Sequence, residues 1–164
     1  MENFEIKLST EKQFDEIWHI FHDVVQEADT YPYPPDIKKE EAKKLWYTAD
    51  SQVYIAYIKG TPVATRYIRP NKVGLGSHIA NTGVMIDKNY RGHGLGRKMM
   101  EFAIDEAKNL GYKAIQLNLV VSTNIASITI CKTTGFEIIG KIPNAFHYKQ
   151  KKYVDAYVMY KELN

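Results

Sequence analysis

The glycine-rich segment at residues 83–97 constrains the fold most strongly. Gly83-Val84-Met85-Ile86-Asp87 has the pattern of a strand end, and Arg91-Gly92-His93-Gly94-Leu95-Gly96 follows a short turn and opens a helix. The first N–H groups of a helix have no internal partner and lie at its positive end, and glycines let a ligand approach the backbone closely. The segment therefore predicts a phosphate-binding turn that is built from backbone amides.

Two familiar phosphate-binding motifs are excluded by particular residues. A P-loop would close with Gly-Lys-Ser or Gly-Lys-Thr, whereas this segment closes with Gly96-Arg97-Lys98. A dinucleotide-binding fold would place the glycines early in the chain and end the next strand with an acid. The next strand here, 114–119, contains no acid.

Hydrophobic periodicity around this segment predicts the order of the elements. Strands are expected at 4–8, 52–58, 62–68, 78–87, 113–120, 136–141 and 154–161, and helices at about 10–28, 36–49, 94–109 and 124–134. A long connection, 142–153, joins the last two strands. The order predicts one α/β domain over 1–164, with a mixed, mostly antiparallel sheet and one central parallel crossover.

Composition narrows the class of protein. The net charge of +3 is spread along 164 residues, which argues against nucleic acid as a partner. No apolar run is long enough to cross a membrane, and 1–5 show no leader pattern, so we expect a cytoplasmic protein. Cys131 is the single cysteine, and no His/Cys cluster has the spacing of a metal site, so no metal is expected.

Two motifs together resemble those of the GNAT superfamily of N-acetyltransferases. Arg91-Gly92-His93-Gly94-Leu95-Gly96 matches the pattern Arg/Gln-x-x-Gly-x-Gly/Ala, and the stretch from Asn124-Ile125-Ala126-Ser127-Ile128 to Gly135-Phe136 is similar to the second signature. The resemblance implies the GNAT fold, a twisted sheet of about seven strands with helices on both faces. It also implies transfer of an acetyl group from acetyl-CoA to an amine.

The resemblance also assigns residues to acetyl-CoA. The backbone of Val84, Met85 and Ile86 should pair with the pantetheine arm like an added strand, and the Asn124 side chain should bond to it. The motif itself should hold the pyrophosphate through Arg91, Gly92, His93, Gly94, Leu95, Gly96 and Arg97. For Asn124 the alternative is a helix N-cap without a ligand, and both roles are compatible.

The catalytic groups are less clear, because this chain departs from the family pattern. Where the family often has a tyrosine that protonates the thiolate, this chain has Cys131, which is either the acid or a buried apolar filler. Where many relatives have a glutamate base, the strand reads His78-Ile79-Ala80-Asn81-Thr82. The proton of the amine would then pass to His78 or to water, or the substrate is an amine of lowered pKa. Asn118 and Cys131 are the candidate catalytic residues.

The acceptor is expected to be a small-molecule amine. The spacing of Asn81, Asn118 and Asn124 is similar to that in fungal acetyltransferases that detoxify proline analogues such as azetidine-2-carboxylate. That resemblance implies an amino acid or analogue held by Asn81, Tyr31, Tyr33 and Phe146, although ordinary strand polarity also explains the asparagines. The alternatives are a protein or peptide N-acetyltransferase and a silent acetyl-CoA sensor. A monomer or a homodimer is expected.

Overall fold

The computed structural model describes residues 3–164. Met1 and Glu2, the first two residues of the segment 1–5 that shows no leader pattern, lie outside the described residues. Within residues 3–164, seven strands form one sheet: β1 Phe4–Ser9, β2 Gln52–Ile58, β3 Thr61–Pro70, β4 Ile79–Ile86, β5 Ala114–Val121, β6 Glu137–Tyr148 and β7 Lys152–Glu162. Four α-helices accompany them: α1 Phe14–Gln26, α2 Lys39–Trp46, α3 Leu95–Asn109 and α4 Ile125–Thr133. The element order is the predicted one.

The sheet is mixed, with the strand order β1-β2-β3-β4-β5-β7-β6. Every neighbouring pair is antiparallel except β4 and β5, which are joined by the crossover through α3. The parallel ladder contains two pairs, Ile79 with Ala114 and Ala80 with Ile115. The predicted central parallel crossover is therefore confirmed, and it is short.

Helices cover both faces of the sheet, as expected. On one face the apolar stripe of α1, which includes Phe14, Ile17 and Phe21, packs with Trp46 of α2. Side chains alternate between the faces of a strand, so β2 sends Val53 and Ile55 to this core and Tyr54 and Ala56 to the other side. The second core lies beneath α3 and α4. Each fully buried large side chain contributes about 1.5–3 kcal/mol.

Several predicted helix ends are confirmed by the backbone. Gly94, Gly111 and Gly135 have φ values of +78°, +86° and +91°, a region that favours glycine, and they stand at the predicted boundaries. Asn124 caps α4, because its side-chain oxygen accepts from the Ser127 N–H at 3.1 Å. Within residues 3–164, no helix is both long and apolar enough to span a membrane.

Other predicted boundaries are wrong. Helix α1 ends before Ala28, whose φ is +51°, and α2 is shorter than 36–49. The predicted long connection at 142–153 is instead the continuation of β6 and a short turn before β7. Strand β6 can include Pro143, which has no N–H, because it lies at the edge of the sheet and its register shifts between Ile142 and Phe146.

Candidate active site

The cleft of the molecule opens where β4 and β5 separate. After Ala80 and Ile115 the two strands are no longer paired, and a cavity of about 770 Å³ occupies the fork between them. The cavity is lined by residues of β3, β4 and β5, of the α1–α2 connection, and of the starts of α3 and α4. The predicted phosphate-binding turn and the strand before it therefore face one continuous cleft.

Asn81 ties the two strands together at the fork. Its Nδ2 donates to the Gln116 carbonyl of β5 at 2.9 Å, and its Oδ1 accepts from the Tyr67 hydroxyl at 2.9 Å. Only 9% of the residue is exposed, although it lines the cleft. Asn81, which the sequence analysis assigned to the substrate, thus also forms a hydrogen bond within the protein through each of its two polar side-chain atoms.

The N-terminal end of α3 forms one end of the cleft. Gly92 and Gly94 have φ values of +79° and +78°, and a Cβ on either would meet no atom within 4 Å, so the space above them is open. The Lys98 N–H bonds to the Gly94 carbonyl at 3.2 Å. The three N–H groups of the helix before Lys98 have no intrahelical partner, and they suit an anion.

The arginines of the turn are paired with carboxylates of this chain. Arg91 bonds to both oxygens of Glu27, at 3.0 and 2.8 Å, and Arg97 bonds to Glu101 at 2.8 Å. Their charges are therefore already compensated, and the backbone amides are the principal anion donors. His93 does not line the cleft, unlike the other six residues of the motif.

The backbone of β4 presents alternate residues to the cleft. The Asp87 N–H bonds to the Val63 carbonyl of β3, so Met85, two positions earlier, also directs its peptide groups towards β3. Val84 and Ile86 direct theirs into the cleft, where the Tyr31 hydroxyl donates to the Val84 carbonyl at 2.7 Å. Of the three residues predicted to pair with pantetheine, Val84 and Ile86 have this orientation and Met85 does not.

Aromatic rings line the other end of the cleft. Tyr31 and Tyr33 stack at 5.7 Å between centroids, and Tyr67, which also lines the cleft, packs edge-on at 4.8 Å against the buried Trp46. Burial raises the pKa of Tyr33 to about 12 and that of Tyr31 well above its usual value. Both phenols are therefore neutral hydrogen-bonding groups at physiological pH.

Two arginines of β3 also line the cleft, and the sequence analysis missed them. The Arg69 guanidinium lies 4.0 Å from the Tyr67 ring centroid and donates to the Leu45 carbonyl at 3.1 Å. Arg66 is only 1% exposed, and its Nη1 donates to the Thr82 hydroxyl at 2.8 Å. Two arginines in the mainly apolar strand segment 63–69 were the available signal, because buried strands rarely carry arginine.

The remaining predicted site residues have varied positions. Asn118 lines the cleft, accepts from Gln116 and donates to Asn71 at 2.7 Å. Cys131 is 0% exposed, burial raises the pKa of its thiol, and it does not line the cleft. Phe146 and His78 do not line it either. The structure therefore does not bring Cys131, Phe146 or His78 to the cleft surface.

The fold and this cleft define a class of enzyme. The model of the acetyltransferase (GNAT) family matches residues 15–136, which include the fork, the glycine turn and α4. The chain belongs to this family and is an acetyl-CoA-dependent N-acetyltransferase, as its two motifs predicted.

Individual relatives agree with this assignment. A solved GCN5-related N-acetyltransferase from Kribbella flavida is 32% identical and superimposes with a TM-score of 0.91 over 99% of both chains. N-acetyltransferase aca1 of Schizosaccharomyces pombe is 38% identical over 93 residues, which are 56% of this chain and 44% of that protein. L-amino acid N-acetyltransferase AaaT of Escherichia coli is 29% identical over 78% of this chain and 77% of its own. The chain thus matches less than half of the length of aca1.

Proposed function

We propose that this enzyme acetylates the α-amine of a free amino acid or a close analogue. The observation that carries the proposal is Arg69, which stands directly opposite Asn81 in the β3–β4 ladder, at the aromatic end of the cleft. Among the described residues, Arg69 forms no ion pair with a carboxylate. A guanidinium without a carboxylate partner in an aromatic cleft suits a small acceptor that carries its own carboxylate.

The distribution of charge along the cleft supports the same acceptor. The acids among the described lining residues are Glu27 and Asp29. Glu27 is bonded to Arg91, and Asp29 lies close enough to Glu27 for that charge to help burial raise its pKa. Both acids therefore lie towards the glycine turn, away from Arg69. An acceptor carboxylate beside Arg69 would meet attraction there and little repulsion.

The rest of the cleft fits acetyl-CoA, which supplies the acetyl group as an activated thioester. Amides between Gly92 and Arg97 would hold the pyrophosphate, and the inward peptide groups of Val84 and Ile86 would pair with the pantetheine arm. Asn124 uses its side-chain oxygen for the helix cap, so its Nδ2 is available to the same arm. An N–H of the strand segment Gly83–Ile86 would stabilise the oxyanion that forms on the carbonyl under attack.

Acceptor selection would then depend on neutral and cationic groups. Tyr31 and Tyr33 enclose the acceptor without charge, and Asn118 offers an uncharged amide at the rim. None of these groups forms an ion pair with an ammonium, so the amine can lose its proton to water and attack. Positioning of the two substrates supplies most of the rate in this scheme.

The proposal is tested with a panel of acceptors and one pair of variants. Free amino acids, their methyl esters and the corresponding amines without a carboxylate are compared by release of CoA. Wild type should prefer the free acids, and Arg69→Gln should lower kcat/KM for them by about 10- to 150-fold, the effect of one lost bond to a charged group. The KM for acetyl-CoA should not change.

Lys72→Gln is the matched control, because it removes one positive charge from the exposed β3–β4 connection, away from the cleft. It should leave the acceptor preference unchanged. Equal turnover of acids, esters and simple amines would refute the carboxylate requirement. Turnover of peptides with free N-termini or lysines, but not of amino acids, would instead assign the enzyme to protein acetylation.

A further inference from the structure

Arg66 is a buried charge without a charged partner. Among the residues that the structure describes, its Nε and Nη2 are buried without a hydrogen-bond partner, and its one hydrogen bond to a side chain runs from Nη1 to the Thr82 hydroxyl. The salt bridges among residues 3–164 include none to Arg66. Buried polar groups are nearly always hydrogen-bonded and buried charges are paired, so this arginine is not explained by packing.

The side chain lies on the face of the sheet that α3 and α4 cover. Its neighbours Thr65 and Tyr67 both contact Trp46 on the opposite face, so alternation along β3 places Arg66 beneath the other helices. Its partner across the β2–β3 ladder, Tyr54, points the same way and bonds to Glu106 of α3 at 2.9 Å. Arg66 is therefore not on the face that carries Arg69.

The position of Arg66 along the cleft is also defined. It stands opposite Val84 and bonds to Thr82, so its guanidinium lies beside the middle of β4. A chain that pairs with β4 from the glycine turn passes Ile86 first and then Val84. The end of the pantetheine arm, with its sulfur, would therefore approach the region of Arg66.

The groups that face this guanidinium are neutral. Tyr31 from the α1–α2 connection, Tyr67 of β3 and Cys131 of α4 are its titratable neighbours, and burial raises the pKa of each of them. The nearby acid, Glu106, bonds to the Tyr54 hydroxyl and to Asn109. Burial lowers the pKa of Arg66 to about 10, so the guanidinium stays charged at physiological pH.

We infer that Arg66 provides a fixed positive charge that stabilises the thiolate of CoA as it leaves. This inference rests on the part of the proposed function that concerns the binding of acetyl-CoA. In the step concerned, the amine nitrogen bonds to the carbonyl carbon, the C–S bond breaks with its electron pair on sulfur, and the amine proton passes to water. A preorganised positive charge in a low-dielectric site stabilises the anionic sulfur, so no side-chain acid is needed to protonate it.

The inference also accounts for the residue at position 131. The family often has a tyrosine there, and this chain has the buried Cys131, which lies within electrostatic range of Arg66. If the thiolate is stabilised by charge, it leaves as an anion and no proton donor is needed at that position. Arg66 acts here through its electric field at the sulfur and transfers no proton.

The test measures the thiol of bound CoA without any acceptor. The ultraviolet absorbance of the thiolate is followed from pH 6 to pH 10 on the CoA complex, and the complex with desulfo-CoA is subtracted to remove protein signals. In wild type the pKa of the bound thiol should be lower than in Arg66→Gln by about 1 to 3 pH units, as for an acid beside an opposite charge. Arg66→Lys should restore part of the difference.

Three further measurements separate this role from a structural one. Arg66→Gln should bind acetyl-CoA within about threefold of wild type but lose about 100-fold in kcat, as when one stabilising donor is removed. Arg69→Gln should leave the thiol pKa unchanged. Arg66→Met should melt at a temperature no lower than wild type, because an apolar side chain replaces a buried unpaired charge.

An identical thiol pKa in wild type and Arg66→Gln would overturn the inference. If Arg66→Gln instead raised the KM for amino acids, Arg66 would be part of the acceptor site, which also contradicts it. Because the titration needs no acceptor, its result does not depend on whether amino acids are the substrates.

Discussion

The two ends of the cleft are built from different parts of the polypeptide. At the glycine turn, backbone amides face the cleft, and the side chains of Arg91 and Arg97 are bonded to Glu27 and Glu101. At the aromatic end, side chains from separate elements converge, among them Tyr31, Tyr67 and Arg69. The first end depends on local conformation and the second on tertiary packing.

This difference has a functional meaning. An anion held by backbone amides is recognised in the same way whatever side chains surround it. The end of the cleft at the glycine turn is therefore suited to one invariant ligand. Under the proposed function, the aromatic end would change its acceptor through single substitutions on the strands and the α1–α2 connection. The predictions below test whether the two ends are as independent as this comparison implies.

The largest effect is expected from Gly94→Val. Its φ of +78° is unfavourable for valine, and the added side chain would occupy the open space above the turn. Acetyl-CoA at 100 times its wild-type Kd stabilises the native enzyme by about 2.7 kcal/mol, and the variant should lose nearly all of that stabilisation in a thermal melt.

Gly111→Val is the matched control for this change. Gly111 also has a positive φ, +86°, and open space around it, but it lies at the far end of α3. Both variants should lose similar intrinsic stability, while Gly111→Val keeps the full shift with acetyl-CoA. Equal shifts in the two variants would mean that the turn is not the pyrophosphate site.

An intermediate effect is expected from Asn81→Ala, which acts where the two ends meet. The change leaves the Tyr67 hydroxyl and the Gln116 carbonyl without their partner, at a cost of about 1–3 kcal/mol for a buried unsatisfied group. The free energy of unfolding by urea and the KM values of both substrates are the measurements. Tyr67→Phe, which removes one of the two bonds, should cost less.

The outcome separates two roles for Asn81. If it mainly holds the fork, stability falls and both KM values rise together. If it mainly bonds to the acceptor's carboxylate, only the acceptor KM rises, and Asn81→Asp is worse than Asn81→Ala because its charge repels that carboxylate. An Asn81→Asp variant with increased activity would point to a missing base and would contradict both roles.

The smallest effect is expected from Cys131→Ala. The thiol is fully buried and its raised pKa keeps it neutral, so the change should remove about 1 kcal/mol of stability through a small cavity. Turnover should stay within a few-fold of wild type. A loss of 100-fold with unchanged acetyl-CoA binding would show that Cys131 donates the proton after all.

The sequence predicted the parts of the molecule whose signals are local. The ends of α3 and α4 follow from Gly94, Gly111, Asn124 and Gly135, because cap and turn chemistry acts over a few residues. The length of β6 was missed, and a strand that contains a proline, such as Pro143, is expected only at the edge of a sheet or at a bulge. That information belongs to the sheet order and not to the neighbouring residues.

The site divides in the same way. The glycine turn was found from its motif. A role in the site for Arg66 and Arg69 could not be predicted, because it depends on the separation of β4 from β5, which opens a cleft beside β3. The two hydrogen bonds of Asn81 likewise join residues that are 14 and 35 positions away along the chain. Such roles depend on which face and which neighbour a residue receives, and neither is encoded within a short window.

The two-pair ladder between β4 and β5 has a consequence for the dynamics of the sheet. Cleft-facing amides of Val84 and Ile86 have no neighbouring strand on that side, so their hydrogens should exchange with solvent faster than those of Met85, which point to β3. A bound pantetheine arm would act as a temporary eighth strand and slow that exchange. The sheet would then be continuous only while the enzyme holds its donor, so its rigidity would follow the supply of acetyl-CoA.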